Sequence, residues 1–253
     1  MNDRNEKIEG DVEIKVRVPF SAWLDNFWYH YKWHTIVAAF VIIVGVLLTV
    51  QMCSKVSYDL HILYAGDDRV SPSREGGDLS EYEKTLMDLK KITPDINGDG
   101  EREVDFLNLF VANDEELALL REKGESTEGA ETLIREDSET LSFSIVSGDY
   151  YIMLLSERLF LEYAEQYGDS LFAPLSEYAT DAEVDFVSGT LGIRLSSIEG
   201  FASLPAISAL DTEDTVICLR AVTEVSAFWN KSRNEKNFEA AEAALIAILE
   251  YGK

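Results

Sequence analysis

Residues 35–53 read TIVAAFVIIVGVLLTVQMC, nineteen positions without a charge, and this run divides the chain in two. As an α-helix it is about 28 Å long, close to the ~30 Å hydrocarbon layer of a bilayer. Eleven of its residues are Ile, Val, Leu or Phe. Together they favour insertion by roughly 3 to 7 kcal/mol, enough to outweigh Gln51, Gly45 and two threonines. A buried globular helix would carry a polar stripe, and this segment has none. The run is longer than the apolar part of a secretory signal, and 34 residues, many of them acidic, precede it. Val50-Gln51-Met52, ahead of Cys53, lacks the small residues of a lipoprotein processing site.

The expectation is therefore an uncleaved single transmembrane helix over 35–53, preceded by a cytoplasmic tail, 1–34, and followed by a domain, 54–253. Lys15, Arg17 and Lys32 before the span balance Lys55, Arg69 and Arg74 after it, so basic residues do not orient the chain. A short tail kept in the cytoplasm and a long domain carried across is the expected arrangement. The protein is then a single-pass component of the cell membrane with an extracytoplasmic C-terminal domain.

Working back from the span, Phe20, Trp23, Phe27, Trp28, Tyr29, Tyr31 and Trp33 alternate with His30, Lys32 and His34. Amphipathic rings favour the headgroup layer, so the stretch reads as an interfacial helix feeding into the span. A helix from Ala22 puts Trp23, Phe27 and Tyr31 on one face. Two readings follow: anchoring in the lipid bilayer, or a docking surface for a membrane-protein partner with Trp23, Trp28 and Trp33 as contacts. His30 and His34 stand four apart, but no third ligand lies near them to complete a metal site.

Working forward, the charge is concentrated. Of 22 basic and 47 acidic residues, five and six lie in residues 1–53, leaving 17 and 41 beyond, a net of −24. Such a domain repels phosphates, which argues against nucleic acid as a partner. Hydrophobic residues make up 46% of the chain, too many for a disordered acidic tail. Two cysteines exclude a disulfide scaffold, and Cys218 reads as a small buried hydrophobe in a strand.

Period-two apolar residues predict a strand over 58–65 (YDLHILYA), and helical spacing predicts a helix over 80–92 with Ser80 capping before Glu83. A strand over 104–112 precedes a helix capped by Asn113 or Asp114, and a further helix covers 129–141. Strand 150–155 runs directly into helix 157–167. A strand-like 192–195, a strong strand 215–220 and a final helix 237–251 complete the series. Stretches 70–79 and 122–128 read as loops. Alternating strands and helices imply an α/β fold: a mixed α/β ectodomain with a partly parallel sheet.

One motif carries ligand chemistry. Asp95-Ile96-Asn97-Gly98-Asp99-Gly100-Glu101 has oxygen side chains at positions 1, 3 and 5, glycine at 6 and the Glu101 carbonyl at 7, the opening of a calcium loop. Position 12, where a bidentate Glu belongs, is Phe106. Asp105 or Glu103 would have to complete the shell, although strand alternation turns Asp105 away from Val104. Structural Ca²⁺ held by Asp95, Asn97, Asp99, Glu101 and Asp105 is one reading; a polar Asn-Gly/Asp-Gly turn is the other.

No G-x-S-x-G, H-E-x-x-H, Walker-type loop or dinucleotide fingerprint is present, and His61 is the single histidine after the span. The expectation is a protein that is not an enzyme.

Tyr29-His30-Tyr31-Lys32-Trp33-His34-Thr35-Ile36 leading into an apolar span resembles the opening of uncharacterised single-pass membrane proteins of Firmicutes, clostridia especially. The order Leu60-His61-Ile62-Leu63-Tyr64-Ala65-Gly66, helix, strand 104–112, helix, Ser147-Gly148-Asp149-Tyr150-Tyr151-Ile152 resembles part of an extracellular solute-binding protein. That resemblance covers about 95 residues and implies a periplasmic-binding-like lobe. The leading functional expectation is a non-enzymatic module docking on a membrane partner such as a transporter. The alternative is a tethered receptor for a small solute, with Tyr150, Tyr151 and Trp229 lining a cleft.

Overall fold

The computed structural model describes residues 19–53, 57–67, 80–124, 127–180, 183–204, 207–208, 210–222 and 224–251, without the side chains of 52–53, 81 and 224–233. The expected loop 70–79, residues 125–126 of the expected loop 122–128 and the Trp229 side chain lie outside this description. The chain divides into two units, Met1–Lys55 and Val56–Lys253.

In the first unit, α1 (Phe20–Cys53) is one helix of 34 residues. The aromatic stretch and the apolar run, expected as two segments meeting at 34/35, are continuous. The helix is about 51 Å long at 1.5 Å per residue, and it is long and apolar enough to cross a membrane.

The second unit is built on β1 (Leu60–Gly66). It is followed by α2 (Glu81–Ile92), β2 (Val104–Phe110), α3 (Asp114–Glu122), α4 (Ala130–Ser147), β3 (Ile152–Ser156) and α5 (Glu157–Tyr167). Then come β4 (Phe186–Val187), β5 (Gly192–Arg194), α6 (Glu199–Ala202), β6 (Thr215–Leu219) and α7 (Glu224–Glu250). The sheet order is β2-β1-β3-β6-β5-β4. β2, β1 and β3 run parallel, with Ile62 opposite both Phe106 and Ile152, while β6, β5 and β4 add on antiparallel. The mixed α/β class read from the sequence is what forms.

Alternation along β1 explains the layering. Leu60, Ile62 and Tyr64 face a core shared with Leu89 and Ile92 of α2, Phe201 of α6 and Leu245 and Ile248 of α7. Leu63 and Ala65 face the opposite way, with Leu141 of α4 and Leu159 and Phe160 of α5. Two helix starts form as their sequences dictate. The Ser80 hydroxyl accepts from the Glu83 N–H and the Glu83 carboxylate accepts from the Ser80 N–H; Asn113 and Glu116 repeat the arrangement. Each reciprocal pair satisfies two donors that a helix start leaves open.

Two helix boundaries differ from expectation, and one strand was not expected. Helix α4 continues to Ser147, where Gly148 takes φ +72° and stops it. Helix α7 starts at Glu224 rather than near 237, because its polar first half continues the helix that the apolar face of its second half marks. Strand β4 has only two residues, too few to show a period.

Packing is tight where β5 crosses the core. A Cβ on Gly192 would lie 2.5 Å from Val216 Cγ1 and 2.6 Å from Phe160 Cζ, and both neighbours are fully buried. Gly192→Ala is expected to destabilise the domain by roughly 1–3 kcal/mol through overpacking. Chemical denaturation of the full chain in detergent measures it, and an unchanged midpoint would contradict this packing.

Candidate functional site

The residues singled out in the sequence fall in three places. The calcium-like loop joins α2 to β2 and is organised from outside itself. Asp59, just ahead of β1 and buried, accepts from the N–H groups of Ile96 and Asn97 with Oδ1 (3.0 and 3.1 Å) and from Glu103 with Oδ2 (2.9 Å). Within the loop, Asp95 accepts from Gly98 and Gly100 (2.7 and 3.0 Å), Asn97 from Asp99 (2.8 Å), and Asp99 from Glu101 (2.9 Å). Gly98 and Gly100 sit at φ +74° and +86°, the left-handed region the turn requires. Asp95, Asn97 and Asp99 thus share one compact turn, with Glu101 at its exit.

Asp105 does not join them. On β2 its Oδ2 accepts from His61 Nδ1 (2.9 Å) and from the Tyr150 hydroxyl (3.0 Å). The bond from His61, helped by Tyr150, holds the Asp105 carboxyl below the usual range against the opposing effect of burial. Burial and the neighbouring Asp105 push the Tyr150 phenol up. Because a carboxylate only accepts, His61 Nδ1 carries the hydrogen of that bond. Among the described residues no three His, Cys, Asp or Glu side chains converge as a metal cluster. A cation in the loop would therefore draw on the Asn97 amide and on carbonyls as well as on Asp95 and Asp99.

The aromatic residues of α1 separate into two sets. Phe20, Trp23, Phe27 and Tyr31 form a stacked ladder with ring centroids 5.8, 5.6 and 5.3 Å apart. Trp23, Trp28 and Trp33, five residues apart, are rotated by about 140° from one to the next. All three are at least half exposed, on three different faces of the helix. Only Trp23 belongs to the ladder.

Around the start of β1, a cavity of about 620 Å³ opens between the strand and α7. Tyr58, His61, Asp149, Tyr151, Lys236 and Glu239 lie on its wall. Of the expected cleft aromatics, Tyr151 is there and Tyr150 is engaged with Asp105. Beside Tyr151, the Arg220 guanidinium stacks over the ring at 5.6 Å and is buried, with Nε and Nη1 finding no acceptor among the described residues. Its Nη1 occupies the space a Cβ on Gly148 would need, at the C-terminal end of α4, where carbonyl dipoles favour a cation.

Acidic groups gather at the opposite end of the parallel strands. Arg158 bridges to Glu116 (2.7 Å), and Arg194 to Glu157 (2.7 Å) and Asp185 (3.0 Å). Among the described residues Asp214 has no such partner; burial, then Asp67, Asp211, Glu157 and Glu116, pushes its carboxyl up to about 6.

Sequence reasoning missed Asp59, the His61–Asp105–Tyr150 group and Arg220. The partners of the first two stand 37 to 45 residues away in the chain, so no local spacing signals them. For Arg220 the signal was a charge continuing an apolar strand. In comparisons with known protein families, curated proteins and solved structures, the chain matches none.

Asp214 yields a test with a fixed sign. Its folded value lies above the ~3.9 of an unfolded aspartate. Folding therefore favours the protonated form, and that stabilisation is present at low pH and lost as pH rises through about 6. Asp214→Asn is expected to raise Tm at about pH 7.5 and to leave it nearly unchanged at about pH 4. Thermal unfolding at the two pH values checks it.

Proposed function

We propose that this chain is a non-enzymatic, membrane-anchored extracytoplasmic module that docks on a membrane-protein partner through the first turns of α1. The observation that carries the reading is the exposed ring ladder in a helix longer than a bilayer is thick. With residue 35 at the hydrocarbon boundary, Phe27 lies about 12 Å and Phe20 about 22 Å beyond it along the axis, whereas the headgroup layer is only about 5–7 Å deep. A tilt of about 40° shortens these distances by less than a quarter. The helix has no break at which it could fold flat onto the surface. Trp33, about 3 Å from the boundary, fits a lipid belt, but the ladder extends past it and presents apolar rings that a protein surface would cover. The acidic domain, repelled by anionic lipid, suits a role away from the bilayer surface.

Crosslinking of the full chain in native membranes, followed by mass spectrometry, tests the proposal. A stoichiometric membrane-protein partner is expected. It should be lost when Phe20, Trp23, Phe27 and Tyr31 are replaced by alanine and kept when Trp28 and Trp33 are. Absence of any partner above background overturns docking.

The tethered solute-receptor reading is favoured by a separate observation, the cavity beside β1, whose size falls within the ~300–1,000 Å³ of small-molecule sites. A periplasmic-binding-like lobe is compatible with the parallel β2-β1-β3 half of the sheet. For the loop at Asp95–Asp99 the proposed ion is structural Ca²⁺. Extracellular sites of this kind bind at about 10⁻⁴–10⁻³ M, so ~5 mM calcium should raise Tm of the full chain. No shift at that concentration would overturn the assignment.

A further inference from the structure

Helix α7 passes the cavity with a cation and an anion one turn apart. Lys236 and Glu239, at i and i+3, both line it, and residues so spaced lie about 5–6 Å apart at Cβ. They form no ion pair with each other, nor a bond to any other described residue. Ala240, Ala241 and Ala243 on the same stretch leave the space open. Across from them lies the His61 ring, held by Asp105 through Nδ1. Of the other two carboxylates on the wall, Asp59 is committed to three loop N–H groups and Asp149 is engaged with partners of its own. Tyr58 and Tyr151 supply ring surface, and Leu60 and Ile96 supply apolar wall.

From this arrangement we infer that the cavity between β1 and α7 is a binding site for a small zwitterionic solute, one carrying an ammonium and a carboxylate on neighbouring atoms. The carboxylate pairs with Lys236, and the ammonium with Glu239. Each half of the ligand thereby meets an unpaired group of opposite sign. A simple anion would leave Glu239 unmatched beside it, and a simple cation would leave Lys236 so. This inference rests on the solute-receptor reading and gives it a ligand class and a location. The location is at the start of the parallel strands rather than at their carboxyl ends, where open α/β sheets ordinarily bind ligands.

The test uses the full chain in lipid nanodiscs and titration calorimetry with pools of free amino acids, taking acetate and ethylammonium as single-charge probes. Binding of an amino-acid pool but of neither single-charge probe is expected. Lys236→Gln and Glu239→Gln should each weaken it about tenfold or more, the worth of a charged hydrogen bond. Both residues are exposed, so neither variant should disturb folding. Unchanged affinity in both variants overturns the assignment of the site. Equal binding of acetate or ethylammonium overturns the zwitterion class while leaving a receptor in place. If neither these probes nor a broad set of sugars and short peptides binds, both the inference and the receptor reading fall.

Discussion

Strand β1 has to satisfy strands on both edges and helices on both faces at once, and the rest of the domain is arranged around that demand. A strand paired on both sides and covered above and below has no position open to water, which is why Leu60 to Gly66 is buried at every residue except His61. The exception is instructive. At the one position where β1 meets partial exposure, the chain places a histidine. A carboxylate from β2 and a phenol from the start of β3 close around it. Those three groups tie together the beginnings of the three parallel strands that the apolar core holds along their length.

The same end of the sheet collects the remaining polar organisation. Asp59 gathers three N–H groups from the loop between α2 and β2, so the turn carrying Asp95 and Asp99 is registered against β1 rather than hanging from its own ends. The cavity lies between that loop and α7. Its polar groups are positioned by regular elements: a helix turn for Lys236 and Glu239, a strand for His61.

Local chemistry made much of this legible. Reciprocal capping at Ser80 and at Asn113 is written within four residues, and both helices start where those residues stand. Alternation in 58–65 and continuous apolar character in 215–220 gave strands that form. The last helix was half legible: the side facing the core repeats from Phe238 onward, while the residues before it are polar and carry no period. The candidate site was legible only as far as its loop. Which carboxylate faces that loop depends on a pairing between β1 and β2 more than forty residues apart. That pairing gives Asp59 to the turn and Asp105 to His61. Helical rotation, not composition, likewise distinguishes the ladder from the belt on α1: the three tryptophans look like one cluster in the sequence and point in three directions on the helix.

The chain enters the domain only a few residues ahead of β1, the strand second from the edge of the sheet, and so at an interior strand. A pull on the chain ahead of Leu60, directed along the strand, has β1 as the first strand it meets. It loads the hydrogen bonds to β2 and β3 in shear and shares the force among them, where an edge strand would peel one bond at a time. Resistance to such a pull at the N-terminal side of the domain follows from strand order.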